Sequence, residues 1–473
     1  MNKNMKVEYY KWNYKEIQIL FNSLKRLINI KELQFYQPYF SLYFHIHNTK
    51  KSHKIIDIQR RFFVKEVIEI INERHHTSNL QLKCQIFDNK YNNTTIQTLF
   101  CKCIPLLDPL YFMMNNYNNI IKRNPLLPSA YTYNTSSKIN NMCNNAYIDT
   151  FFSYICSELT LNDTLPSFPI YYGSANGVKE SFNFDITDDY SNLKEEEWFY
   201  KNLGKTYKID MYVSDDEEYD QNSNDEISDD YISSLNNIPC QLLFIEKLDG
   251  TIEDLISSEI KELDINIIKS CIFQISFALL YLQKKFNFTH NDLHVNNVMF
   301  KKTDKIFLYY KYNNIYYKVP THGYIFKIID YGRAIFTFHN KIFFNDTFEK
   351  HGEAEGQYTY PNNILYLNKS DNIVNPNYSF DLCRLAITIL DVCNYNKFED
   401  YKEKQSFIDF IYNLTLNNEG ISLAELNDDF KMYISIAKSA NNALPEKTIQ
   451  NYIFKDYRIK KKLFPKKLYY SLH

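Results

Sequence analysis

Residues 264 to 285 constrain this chain more than any other stretch. Within them the run IIKSCIFQISFALLYL is apolar on nearly every face, and a helix of that composition has to be enclosed by other elements. Its longest apolar piece, CIFQISFALLYL at 271 to 282, is shorter than the ~18 residues a membrane span requires. The opening MNKNMKVEYYKWNYKE has no signal-peptide core. These features predict a soluble, intracellular globular protein with no membrane span. With 473 residues, 45% of them hydrophobic, the chain can bury a core large enough for two domains or one large bilobal one.

Partners have to be argued locally. The 54 basic and 56 acidic residues nearly cancel, so no global field marks a nucleic-acid binder, and nucleic acid is not the expected partner. Nine cysteines are scattered without a C-x-x-C pair. That excludes a disulfide framework or zinc site as the organising principle and fits a reducing compartment. Oligomeric state is not legible.

Three regions follow from the patterning. In residues 1 to 79, Ile17, Leu20, Phe21, Leu24, Leu27 and Ile28 recur at helical spacing, as do Val64, Val67, Ile68 and Ile71, which predicts a mainly helical N-terminal extension. Residues 80 to 250 turn strand-like: LQLKCQIFD and IQTLFCKCIPLL suggest an antiparallel pair, a helix is expected from about Ala146 to Thr160, and FPIYYGS and PCQLLFIEKL read as further strands. An acidic stretch near 213 to 232 interrupts them. Its residues 215 to 230 carry nine acids and no base, the signature of a disordered surface insertion. From 251 to 473 the chain is mainly helical. KIFLYYKYNNIYYKV there reads as a hairpin turning at Asn313-Asn314, and the basic tail from Lys455 to Lys467 interleaves Tyr457, Ile459, Leu463 and Phe464 in a way that suits packing.

The chemistry lies just after the buried helix. Phosphoryl transfer needs a group to orient or deprotonate an acceptor hydroxyl, oxygen ligands for Mg²⁺ on the nucleotide, and a cation near its phosphates. His290-Asn291-Asp292-Leu293-His294-Val295-Asn296-Asn297 matches H-R-D-L-x-x-x-N, and Asp330-Tyr331-Gly332 matches D-F-G. Either tripeptide alone is also an ordinary polar turn. In this order, behind a buried helix, they are specific. His290 and His294 as ligands of another metal lack a third ligand.

On these motifs the chain resembles the protein kinase superfamily. It also resembles the divergent serine/threonine-protein-kinase-like proteins of large nucleocytoplasmic DNA viruses, through FCKCIPLLDP, NNAYIDTFFSY, FKIIDYGRA, NYSFDLCRLA and RIKKKLFPKK. The resemblance covers roughly 80 to 473 with interruptions. It implies an α+β, bilobal kinase-like fold, with a mainly β N-lobe, a mainly α C-lobe, and the N-terminal helical extension outside it. The implied activity is transfer of the ATP γ-phosphate to Ser or Thr hydroxyls of a protein substrate. Asp292 is then the catalytic base, Asn297 and Asp330 hold Mg²⁺, Glu246 and Leu248 lie beside the adenine, and Asp381 bonds the catalytic-loop backbone. Lys102 would contact the phosphates, with Lys65 in FFVKEV the alternative. Its carboxylate partner would be Glu158, with Asp149 the competitor. Residence in the host cytoplasm or a virion follows if the chain is viral.

Two departures stand out. The first glycine is Gly173, so no glycine-rich loop precedes Lys102; a catalytically weak or inactive pseudokinase is therefore the rival reading. Asn291 stands where many kinases carry an arginine that reads a phosphorylated activation segment, which suggests a segment from Arg333 to about Pro361 that is placed without phosphate. Histidine at 294 is also similar to small-molecule phosphotransferases, a third reading.

Overall fold

A computed structural model describes residues 9–10, 14–38, 57–58, 61–73, 77–118, 126–129, 136–213, 229–257, 264–338, 341–350, 352–358, 376–392, 402–426 and 429–472. The architecture is α+β. The chain divides into two compact units, one formed by Val7–Tyr147 with Tyr171–Lys247, the other by Ile148–Ile170 with Leu248 onward. Residues 214–228 of the acidic stretch lie outside the described residues.

The first unit is organised by an antiparallel sheet. Its strands are β1 (Ile30–Gln34), β2 (Phe62–Glu73), β3 (Leu80–Asp88), β4 (Asn93–Pro105), β5 (Tyr171–Asp185), β6 (Tyr207–Val213) and β7 (Asp229–Glu246). They run in the order β1-β5-β7-β4-β3-β2, with β6 paired to β7. In β3 the alternation of the sequence is realised residue by residue: Leu80, Leu82, Cys84 and Ile86 are buried and their neighbours are not. The turn to β4 closes at the register Asp88↔Asn93, with Asn92 at φ +50°, a conformation asparagine tolerates.

The helical expectation for residues 1 to 79 holds for α1 (Tyr14–Ile28) and fails at Val64 to Ile71, which lie in β2. The reason is geometric. Against β3 the register shifts between Val64 and Glu66, between Val67 and Glu69, and between Ile70 and Asn72. Each is a bulge, so three β2 residues repeatedly face two of β3, and the apolar period becomes three instead of two. Helix α1 docks on this strand: Leu20, Leu24 and Ile28 are buried, and the Val67 N–H donates to Ser23 Oγ at 3.0 Å.

The second unit is built on helices α2 (Asn145–Leu161, from Ile148 onward), α3 (Ile252–Ser257), α4 (Ile265–Phe286), α5 (Phe380–Val392), α6 (Lys402–Leu414), α7 (Asp429–Ser439) and α8 (Pro445–Ile449). Asp264 caps α4 by accepting from the Asn266 N–H at 2.9 Å, and Asn287 ends it in the left-handed region at φ +48°. By length and a mean hydropathy of 1.7 this helix could cross a membrane, yet 78% of that window is buried within the protein, as in a core helix.

Strands β8 (Gly250–Thr251), β9 (Val298–Lys302) and β12 (Tyr324–Ile328) form one small sheet; β10 (Phe307–Tyr312) and β11 (Ile315–Pro320) form the hairpin expected at Asn313-Asn314. The pair β13 (Ile335–Phe338) and β14 (Lys341–Phe344) follows. The basic tail packs at Tyr457, which is buried, and leaves Leu463 64% exposed. Strands β15 (Arg458–Ile459) and β16 (Tyr470–Leu472) add to the hairpin, and the Phe454 and Tyr457 rings lie 5.2 and 5.6 Å from Phe273 of α4.

Candidate active site

Past α4, the segment from Phe288 to Asn297 buries Phe288, Leu293 and Val295 and so presents its intervening polar groups in a set order. Thr289 and Ile335 exchange both backbone hydrogen bonds, each at 2.9 Å. Asp381, in the first turn of α5 and fully buried, accepts from the N–H of His290 (3.0 Å) and of Asn291 (3.0 Å). Burial pushes this carboxyl up, while His290 and the two N–H donors pull it down. The His290 Nε2 lies 2.8 Å from the Ile329 carbonyl. A carbonyl only accepts, so this nitrogen carries the proton.

Asp292 follows on this frame. Its Oδ1 accepts from the Tyr433 hydroxyl at 2.6 Å and lies 3.8 Å from an Arg333 guanidinium nitrogen. Asn297 Nδ2 donates to the Asp292 carbonyl at 2.9 Å and lies 3.0 Å from His294 Nε2. A neutral imidazole offers one acceptor nitrogen, and burial, the largest influence, holds His294 below the ordinary imidazole range. The Asn296 N–H also points to His294 Nδ1 at 3.3 Å, so the two ring nitrogens compete for one acceptor site, while the Asn297 amide proton on the Asp292 carbonyl is engaged in either tautomer.

Asp330 joins the loop through its neighbour, because the Ile329 N–H donates to the Asn297 carbonyl at 3.1 Å. Asp330 adopts φ +63° and its Oδ1 accepts from the Gly332 N–H at 3.3 Å. Tyr331 is the anchor. Its hydroxyl donates to the Ile328 carbonyl at 2.8 Å, its N–H donates to Asp149 Oδ1 of α2 at 3.0 Å, and its ring is 5.1 Å from Phe152, which stacks on Phe288 at 4.6 Å.

The segment after Gly332 is tied back to the loop in its described part. Asn291 Nδ2 donates to the Arg333 carbonyl at 3.0 Å, the Tyr358 hydroxyl donates to Asn291 Oδ1 at 2.7 Å, and Arg333 pairs with Glu353 at 3.2 Å. Asn291 thus occupies the arginine position of the motif with direct bonds to this segment. Pro361 lies outside the described residues. Beside Asp292 opens a cavity of about 570 Å³, lined among others by Glu253, His294, Arg333, Glu353, Arg384 and Tyr433.

Asn297 is therefore bonded to Asp292 directly and to the residue before Asp330 through the backbone. Lys102 sits on β4 opposite Leu243, half-buried between the buried Cys101 and Cys103. Lys65, its alternative, has its Nζ 3.9 Å from Glu16 and 4.7 Å from the Phe87 ring. Glu158 is half-buried on α2, in the other unit from Lys102. Glu246 ends β7 opposite Leu99, and Leu248 is buried in the helical unit. Sequence reasoning missed Tyr433 and Arg384. Tyr433 belongs to no local motif, and although Arg384 lies in NYSFDLCRLA nothing there marks its role; the packing of α5 and α7 brings Tyr433 onto Asp292 and Arg384 over the Tyr433 ring.

No protein-family profile matches the chain. A 78-residue segment, 16% of the chain and 13% of the relative, is 46% identical to "Uncharacterized protein 098R" of Invertebrate iridescent virus 6. A 63-residue segment, 13% of the chain, is 41% identical to 8% of "Serine/threonine-protein kinase haspin" of Mus musculus. The chain thus spans a small part of each relative's length, and the similarity to a serine/threonine kinase is partial.

Proposed function

We propose that the chain is a bilobal protein-kinase-like enzyme that transfers the ATP γ-phosphate to Ser or Thr hydroxyls of a protein substrate inside a cell. The observation that carries this reading is the frame around Asp292. The buried Asp381 holds the backbone of the loop at His290 and Asn291, while Asn297 bonds to both the Asp292 carbonyl and the Ile329 N–H. These bonds support reading Asp292, Asn297 and Asp330 as one site.

In this reading the acceptor hydroxyl loses its proton to Asp292 as its oxygen attacks the γ-phosphorus, and ADP departs with the electrons of the broken bond. Asp330 and Asn297 fit a hard divalent cation: a carboxylate and an amide oxygen whose nitrogen end is held by the Asp292 carbonyl. Bound there, Mg²⁺ would neutralise charge on the phosphates. Lys102, oriented by Glu158, would contact the phosphates, and Glu246 and Leu248 would flank the adenine.

The test is ATP γ-phosphate transfer with Mg²⁺ to generic protein substrates, comparing wild type with folded Asp292→Ala and Asp330→Ala. Transfer that both substitutions abolish supports the proposal. ATP binding without transfer in the wild type favours the pseudokinase, the second reading, which rests on the absence of any glycine before Gly173.

A further inference from the structure

Tyr433 has no counterpart among the motif residues, yet it makes the shortest contact to Asp292. Its hydroxyl lies 2.6 Å from Oδ1, the range of a charge-assisted O–H···O⁻ bond. Two guanidiniums lie over the ring, that of Arg384 4.9 Å and that of Arg333 5.6 Å from its centroid. Behind it α7 is secured to the chain preceding α5. Asn377 Nδ2 donates to the carbonyls of Ile436, Ala437 and Ala440 at 3.2, 3.3 and 2.8 Å, and the Phe380 ring lies 5.9 Å from Tyr433. Burial, then Asp292, pushes the phenol up to about 12, so it stays a donor at neutral pH. Oδ2 of Asp292 has no hydrogen-bond partner among the described residues.

A tyrosine packed only for shape would not place its one polar atom on a carboxylate whose residue is fixed through its backbone carbonyl by Asn297. We propose that Tyr433 is a positioning residue for Asp292: by donating to Oδ1 it sets the rotation of the carboxylate and leaves Oδ2 to receive the acceptor's proton. This role rests on the phosphoryl-transfer reading above. The acceptor oxygen forms its bond to the γ-phosphorus, the bond to the β,γ-bridging oxygen breaks, ADP leaves, and the proton passes to Oδ2. Tyr433 keeps its own proton throughout.

The experiment uses the full chain, Mg²⁺-ATP and casein as acceptor, with wild type, Tyr433→Phe, Asp292→Asn and the double variant. Phenylalanine keeps the ring beneath the guanidiniums and removes only the hydroxyl. The expected result is a loss of about 10- to 100-fold in kcat with the KM for ATP unchanged, and no further loss from Tyr433→Phe in the Asp292→Asn background. Equal losses in both backgrounds, or none in wild type, overturn the role while leaving the kinase reading in place. A wild type that transfers no phosphate overturns that reading and this role with it. If Tyr433→Phe fails to fold, trifluorotyrosine at 433 keeps the shape with a more acidic phenol. Facing Asp292, Arg333 and Arg384, it should lose its donor and its activity at a lower pH than wild type on the alkaline side. An unmoved alkaline limb overturns the role.

Discussion

The carboxylate of Asp381, wholly inside the protein, accepts the backbone N–H of His290 at 3.0 Å across 91 residues of chain. Asn291 donates to the same group. Two buried amide donors therefore depend on one side chain, and removing it strands both. Asp381→Ala should cost about 2–4 kcal/mol, read as a lowered denaturation midpoint, and should disable the loop even where the chain still folds. A midpoint within experimental error of wild type would show that the loop is held by something else.

Phe152 packs at the centre of an aromatic cluster, stacked on Phe288 and edge-on to Phe286 and Tyr331. Phe152→Ala should cost about 3–5 kcal/mol. Because the cavity would open behind Tyr331, Asp330 should lose its placement as well. Urea denaturation gives the first quantity, and the Mg²⁺ dependence of activity or nucleotide binding gives the second.

Gly352 leaves no room for a side chain. A Cβ there would lie 2.2 Å from the Thr347 carbonyl oxygen and 2.7 Å from its carbon, and the Ala354 N–H bonds that same carbonyl at 3.0 Å. Gly352→Ala has to move backbone, at about 1–3 kcal/mol, and should expose the segment ending at Tyr358 to limited proteolysis sooner than in wild type.

His294 should make stability fall in mild acid. Burial holds its folded-state pKa down, whereas an unfolded histidine titrates near ~6.5. Below that value the unfolded chain binds a proton that the fold resists, so stability present above it is lost as pH falls toward the folded-state pKa, at up to about 1.4 kcal/mol per pH unit. His294→Gln removes the titrating ring, keeps a polar side chain beside Asn297, and should flatten the decline of melting temperature between pH 8 and 5. An unchanged slope would assign the decline to other groups.

The loop and strand elements that could be read from the sequence are those whose cues are local. Alternation in LQLKCQIFD, asparagines at a two-residue turn and the His-Asn-Asp and Asp-Tyr-Gly motifs each specify their own few residues. The expected antiparallel pair, the hairpin at 313–314 and the helices near 146 and 380 all appear. Residues 62 to 73 were misread because a bulge every third residue imitates a helical period. Tyr433 was invisible for a different reason: it lies 141 residues from Asp292, and nothing in the sequence near it encodes the meeting.

Those bulges bear on how the protein behaves in a crowded solution. Strand β2 lies at the rim of its sheet, and FFVKEVIEII has the composition of a segment that would template a foreign strand. Three offsets in twelve residues, with Lys65, Glu66 and Glu69 among them, break the even ladder a second copy would need. The feature that hides this strand from sequence pattern also protects it from self-association into fibres.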